Sequence, residues 1–255
     1  MSPRTVTARL LSLLTTEELA AIVAGKGPTA VLVPVGSVEP HGPHLPLGTD
    51  TLISETAAVR AADALAAGNG VDAWVAPSVP YGVTDFAEGF AGAVGVPAPA
   101  LTALLRAIAE RLLADGWRHV CIVNNHLEPA QDAAVRAAIE DLPAGAASVA
   151  CPLAKRWART LSDEFKRGDC HAGRYETSLA MAGGATVREG HRELRAVDVS
   201  LSKEIRAGRT RFREMGMDRA YTGAPAEATR EEGETLYGKL VEMIVVEVTE
   251  GLGRA

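Results

Sequence analysis

Aromatic residues are scarce: Phe, Trp and Tyr together make up 4% of the 255 residues. The core must therefore be built mainly of Ala, Val, Leu and Ile. Cysteine is rarer still. Cys121, Cys151 and Cys170 are too few and too scattered for a disulfide framework, and a chain of this length can bury a core without one. Positive charge is in deficit. The 26 Lys and Arg against 32 Asp and Glu leave −6 at pH 7, so no global basic field recruits nucleic acid or an anionic membrane. No apolar run approaches the ~20 residues that span a bilayer. Met1 to Thr16 has a short leucine run but neither the continuous apolar core nor the cleavage site of a signal peptide. A cytoplasmic, reduced protein is expected. No internal repeat, low-complexity tract or linker is visible, so residues 1–255 read as one domain.

What is present is a regular alternation. Thr15-Thr16-Glu17-Glu18 opens an acidic helix start that Gly25 and Gly27 close. Thr29 to Val35 (TAVLVPV) is a continuous apolar run, as a strand buried on both faces would be. A Gly/Pro-rich loop from Gly36 to Thr49 leads to an Ala-rich helix over 51–67. A short strand follows over 72–77, then a glycine-rich loop over 80–96. The spacing predicts a helix over 97–115, a strand over 118–124, a helix over 129–142, a strand over 148–153 and a helix start over 171–181. A final amphipathic helix runs over 229–250, with Leu236, Leu240, Ile244 and Val248 on one face. Residues 187–222 are charged and read as irregular. Such alternation implies βαβ units, an α/β fold with a mostly parallel sheet covered on both faces. Ligands then sit beyond the carboxyl ends of the strands.

Two such ends carry metal-type side chains. After the first strand come Glu39-Pro40-His41-Gly42-Pro43-His44 and then Asp50. Carboxylate and imidazole in close sequence suit a divalent transition metal, and Asp50, returning from the far side of the turn, suits a bridge between two ions. The plainer reading makes Glu39 and His41 loop polar residues and Asp50 the cap of the next helix. After the third predicted strand come Asn124-Asn125-His126-Leu127-Glu128, which repeat the two-residue spacing. Alone, this group is an ordinary strand-to-helix turn with Glu128 favoured at a helix start. Together the groups offer Glu39, His41, Asp50, His126 and Glu128. A third group, Asp169-Cys170-His171-Ala172-Gly173-Arg174-Tyr175-Glu176, holds a candidate proton carrier in His171, with Glu176 or Asp169 to orient it. Its plainer reading is a capped helix start with a satisfied surface histidine. The loop over 80–96, with Tyr81, Phe86 and Glu88, is either a cover that shapes a substrate pocket or a glycine-rich crossover packed down by Phe86 and Phe90.

The segment VLVPVGSVEPHGPHLPLGTDTLIS resembles the N-terminal signature of the creatininase (creatinine amidohydrolase) family. NNHLEP and DCHAGRYETSLA resemble two further family segments, and Gly223-Ala224-Pro225 with Ala228, Glu232 and Gly233 extends the resemblance towards the C-terminus. The resemblance implies a three-layer α/β/α sandwich and two divalent metal ions (Zn, Mn or Fe). One ion would be held by Glu39, Asp50 and His126, the other by His41, Asp50 and Glu128. It further implies hydrolysis of a non-peptide or cyclic amide C–N bond by a metal-activated water. His171 would be proton donor to the leaving nitrogen, and the chain would form homo-oligomers, often hexamers in the family. Glu176, read from the segment itself, is a catalytic candidate that orients His171. Leu127 and Cys170 stand where creatininase has an aromatic and an acid, so they belong with Tyr81, Phe86 and Glu88 as candidate substrate contacts and count against creatinine itself. Pro40 and Asn125 also depart from the common pattern. Three other readings are open: a peptidase or deformylase of the same family acting on a biosynthetic precursor, a non-catalytic metal-binding member, and a cysteine hydrolase using Cys170 beside His171.

Overall fold

The computed structural model describes residues 9–253; residues 1–8, half of the stretch read for a signal peptide, lie outside them. Helix α1 (Thr16–Val23) precedes β1 (Thr29–Val35), α2 (Thr49–Ala64), β2 (Asp72–Val75), α3 (Ala98–Ala114), β3 (His119–Asn124), α4 (Pro129–Ala137) and β4 (Ala147–Ala150). Then follow α5 (Lys155–Ala158), α6 (Asp163–Arg167), α7 (Arg174–Ala182), α8 (Leu201–Arg206) and α9 (Arg230–Gly251). Thr15 and Glu18 form a reciprocal cap at the start of α1, which the acidic start anticipates. No described helix is long and apolar enough to cross a membrane.

The four strands form one all-parallel sheet in the order β2-β1-β3-β4. Side chains alternate across it, so each apolar run feeds two cores. Ala30 and Leu32 of β1 and Cys121 and Val123 of β3 face α2 and α9. Val31, Val33, Val35, Val120 and Ile122 face α3 and α4. That is the α/β/α layering expected. On α9, Leu236, Leu240, Ile244 and Val248 are all buried, each contributing roughly 1.5–3 kcal/mol relative to exposure. A Cβ at Gly233 would collide with the Ser178 carbonyl, so glycine is what lets α9 lie against α7.

Boundaries differ where local chemistry differs. Helix α2 begins at Thr49 instead of residue 51, which makes Asp50 a first-turn residue and not its cap. Its far end widens into a π turn, Leu65–Asn69, closed by Gly70 at φ 62°. The strands at 72–75 and 147–150 are shorter than expected, and α4 is regular only to Ala137. The short helices α5 and α6 were not expected at all. In the 187–222 stretch the structure has a 3-10 turn at Glu189–Glu193 and α8, joined by irregular chain.

Chain order creates the site. From β1 the chain crosses by α2 to β2 on one side, then by α3 to β3 on the other. The loops leaving β1 and β3 therefore diverge and open a crevice between them, the switch point where ligands bind in such sheets.

Candidate metal centre

Gly42, at φ 63°, turns the loop after β1 sharply, and its N–H donates to the Ala220 carbonyl at 2.8 Å. The loop after β3 is tied in by Ser54, whose hydroxyl donates to the Val35 carbonyl at 2.7 Å and accepts from the Asn125 N–H at 3.1 Å. Gln131 links three loops. It accepts from the Val83 N–H at 2.9 Å and donates to the Gly36 carbonyl and to Asn124 Oδ1, both at 3.3 Å.

These ties bring Glu39, His41, Asp50, His126, His171 and Glu176 together, all buried. Their ligand atoms form three overlapping groups within 4.8 Å: Glu39, Asp50 and His126; His41, Asp50 and Glu176; and Glu39, His41 and His171. His126 Nδ1 lies 3.0 Å from both Glu39 Oε1 and Asp50 Oδ2. His41 Nε2 lies 3.0 Å from Asp50 Oδ1 and 3.5 Å from Glu176 Oε2. Glu39, Asp50 and His126, the first expected set, thus lie within reach of one another. Beside His41 and Asp50 the structure places Glu176, with Glu128 outside these three groups.

Glu128 sits 4.0 Å from His126 Nε2 and accepts the Asp85 and Phe86 N–H groups at 3.2 and 3.3 Å. It pins the 80–96 loop. Burial pushes its carboxyl up to about 7, against the pull of His126. Glu176 does not orient His171. It accepts the Ala172 N–H at 2.6 Å, and burial raises it to about 8 against the attraction of His41. Asp169 pairs with Arg167 at 3.1 Å. His171 is oriented instead by donating from Nε2 to the Pro40 carbonyl at 3.0 Å and by rings on either side, His41 at 4.7 Å and Phe212 at 4.4 Å between centroids.

The donor set passes a test of fit to a metal. His41 Nδ1 donates to the Glu39 carbonyl at 3.1 Å, and His126 Nε2 to the Val83 carbonyl at 2.6 Å. Each ring's other nitrogen then carries a lone pair that faces carboxylate oxygens, a repulsive arrangement unless a cation lies between. Anchoring the second N–H is how ligand histidines are held. Glu39 Oε2 is buried with no hydrogen-bond partner. Without a metal only protons can fill the gap. Burial opposes charge on His41, yet Asp50, Glu176 and Glu39 raise it to about 10, and His126 is likewise raised by Glu39 and Asp50.

Above this cluster opens a cavity of ≈ 340 Å³. Phe86, Leu127 and Cys170 line it as expected. Tyr81 and Glu88 do not: Tyr81 is about half exposed, and Glu88 pairs with Arg211 at 2.6 Å on the surface. Burial raises the Cys170 thiol well above its ordinary range, so it is no thiolate nucleophile. Phe212, from the stretch that read as irregular, lines the same cavity. Its N–H donates to the Phe86 carbonyl at 2.8 Å, and the two rings meet edge to face at 6.1 Å. Within residues 80–96, Phe86 thus both lines the cavity and packs against Phe212.

The family model described as "Creatininase: Creatinine amidohydrolase" matches residues 12–248. The chain belongs to the creatininase family. It is a hydrolase of that metal-dependent amidohydrolase family, and its α/β fold follows. A "Mycofactocin precursor peptide peptidase" of Mycolicibacterium smegmatis is 33% identical over 227 residues, covering 83% of this chain and 81% of that protein. Among solved structures, "Creatininase Mn" superposes with a TM-score of 0.70 at 20% identity, over 96% of this chain and 98% of the other. A mutant creatininase of "Zn-Zn type" reaches 0.69 at 20% identity with the same coverage.

Proposed function

We propose that this creatininase-family hydrolase cleaves the C–N bond of a small non-peptide or cyclic amide at a centre of two divalent ions. Glu39, Asp50 and His126 would hold one ion. His41, Asp50 and Glu176 would hold the other, with Asp50 common to both. The observation that carries this reading is the pair of imidazoles, His41 and His126, each tied by one N–H to a backbone carbonyl and aiming its free nitrogen at buried carboxylates. Bound there, such ions supply an acidified water and positive charge beside the scissile carbonyl. Zinc, manganese and iron all suit mixed His/carboxylate donors.

His171 moves the proton. Its Nε2–H is committed to Pro40, which leaves Nδ1, 3.8 Å from Glu39 Oε1, as the working atom. Burial, with His41 beside it, holds His171 down to about 4. It rests neutral, so it takes a proton from the attacking water before it returns one to the leaving nitrogen. Phe86, Leu127 and Cys170 bound the substrate, and Glu128 holds the covering loop over it. A cytoplasmic homo-oligomer is part of the same proposal, to be checked by sedimentation.

A second reading, trimming of a short peptide precursor, draws support from the 33% identical peptidase and uses the same donors. Metal content by plasma mass spectrometry tests the centre, and a panel of cyclic amides and short peptides tests the substrate. About two ions per chain with cyclic-amide turnover is the expected result. Turnover of peptides alone favours the second reading. Metal without turnover favours a non-catalytic binder. A chain that takes up no zinc, manganese or iron sinks the centre.

A further inference from the structure

The cavity over the metal-type cluster has two unlike ends. Its buried floor is acidic, with Glu39, Glu128 and Glu176. Its exposed mouth is cationic, with Lys166 from the last turn of α6 and Arg206 from α8. Between them the lining is apolar. Helix α8 lends the cavity Leu201, Ser202, Ile205 and Arg206. Those are positions i, i+1, i+4 and i+5, one continuous helical face. Ser202 and Arg206 are one turn apart on it, beside the apolar pair Leu201 and Ile205. The face is held against α6 by the Leu201 N–H, which donates to the Gly168 carbonyl at 2.9 Å.

The arginines near Lys166 and Arg206 in the chain are engaged elsewhere. Arg167 pairs with Asp169, Arg209 with Glu204 and Arg211 with Glu88, while Arg213 lies over the Phe90 ring at 4.4 Å. Lys166 reaches Asp163 at 3.3 Å on the surface. The Arg206 guanidinium has neither an ion pair nor a hydrogen bond among the described residues. A guanidinium kept unpaired at the mouth of a cavity, in a chain of net charge −6, matches a planar anion brought by the ligand, since its fork of donors fits a carboxylate with two parallel bonds.

We propose that the substrate is an amide with a free carboxylate at the end remote from the scissile bond. Arg206 binds that carboxylate, assisted by Lys166 and the Ser202 hydroxyl, while the apolar middle lies along Phe165, Leu201 and Ile205. This inference rests on the metal-centre reading, because the cluster defines the end at which the bond is cut.

The test uses binding and not turnover. Suberic acid monohydroxamate carries a metal-chelating head and a carboxylate tail; the same compound with the tail converted to a primary amide lacks only the charge. Calorimetry on the zinc-loaded protein compares the two probes for the wild type, R206Q and the R206Q/K166Q double variant, with the adipic acid pair as a shorter tether. The carboxylate probes should bind wild type about tenfold more tightly than the amides, equivalent to about 1.4 kcal/mol, and R206Q should abolish most of that preference with little change for the amide probes. Because Arg206 is exposed, its replacement leaves the fold intact, and an unchanged thermal transition checks this. Equal affinity of wild type for both tails overturns the proposal, as does a carboxylate preference that survives in the double variant. Zinc-loaded protein that binds none of the four probes overturns the metal-centre reading, and the proposal falls with it.

Discussion

Asp50 is the residue shared by the two proposed ligand sets. Its Oδ2 accepts from Ser37 Oγ at 2.7 Å and lies 3.0 Å from His126, while Oδ1 lies 3.0 Å from His41. Burial opposes its charge, but His41 and His126 hold its carboxyl well below the usual range. Asp50→Ala should therefore empty both positions, and plasma mass spectrometry should find metal content falling towards zero; two ions retained would end the bridging assignment. His171→Ala should separate binding from chemistry. Metal content should stay at the wild-type level while turnover falls by roughly 10²–10⁴-fold, the usual contribution of a positioned proton carrier. Undiminished turnover would remove His171 from the mechanism. Its neighbour Ala172 sits at φ 50°, a left-handed conformation that costs an alanine about 1–2 kcal/mol. That bend lets the Ala172 N–H reach Glu176 while His171 turns back to Pro40.

At the scale of elements, α7 is aimed by a side chain distant in sequence. Glu164 of α6 is buried and accepts from the N–H groups of Arg174, Tyr175 and Ala224 at 3.1, 2.7 and 2.7 Å. It supplies the cap that Gly173 cannot, and so places Glu176 in the donor group. Glu164→Ala would leave these donors unpaired and should cost roughly 2–4 kcal/mol. In urea unfolding the midpoint should drop with the slope unchanged; a shift of a few tenths would reduce Glu164 to a bystander. Strands β1 and β3 were legible because their apolar runs are continuous, and α9 because its leucines recur every four residues. Helices α5 and α6 were not legible, because four or five residues are too short for a period to emerge. Glu164, Gln131 and Ser54 carry no local pattern, since their partners lie on other elements. Phe212 was missed for the same reason: an aromatic in a charged stretch gains meaning only beside Phe86 and His171.

For the whole molecule, the buried cluster couples stability to pH, and the proposed ions would couple it to metal. In metal-free protein the folded state holds His41 up at about 10 from 6.5. That contribution is complete below 6.5 and is lost as pH rises towards 10. Glu176, held up at about 8 from 4.5, acts in the same sense, with its contribution lost between 4.5 and 8. The metal-free protein should thus weaken as the solution becomes alkaline. A divalent ion at the proposed centre would replace those protons, so its binding should strengthen over the same range. Added zinc should raise the melting temperature more at about pH 8 than at about pH 6. An equal shift at both pH values would mean that the ion does not displace the protons on these residues.

The sequence by itself determined the layers of this protein and most of the candidate donors. Apolar periodicity is a local property, and Glu39, His41, Asp50 and His126 follow strand ends or open a helix, where the fold class already directs function. Only the tertiary structure placed Glu176, and not Glu128, beside His41 and Asp50. Glu128 and Glu176 are equally plausible ligands in one dimension. The Asp85 and Phe86 N–H groups engage Glu128, whereas the α7 start, capped by Glu164, turns Glu176 inward against His41. The unlike ends of the cavity have the same origin, because Lys166 of α6 and Arg206 of α8 meet at one mouth only once the Leu201 N–H bonds the Gly168 carbonyl. Such choices rest on contacts between residues far apart in the chain, and no local spacing encodes them.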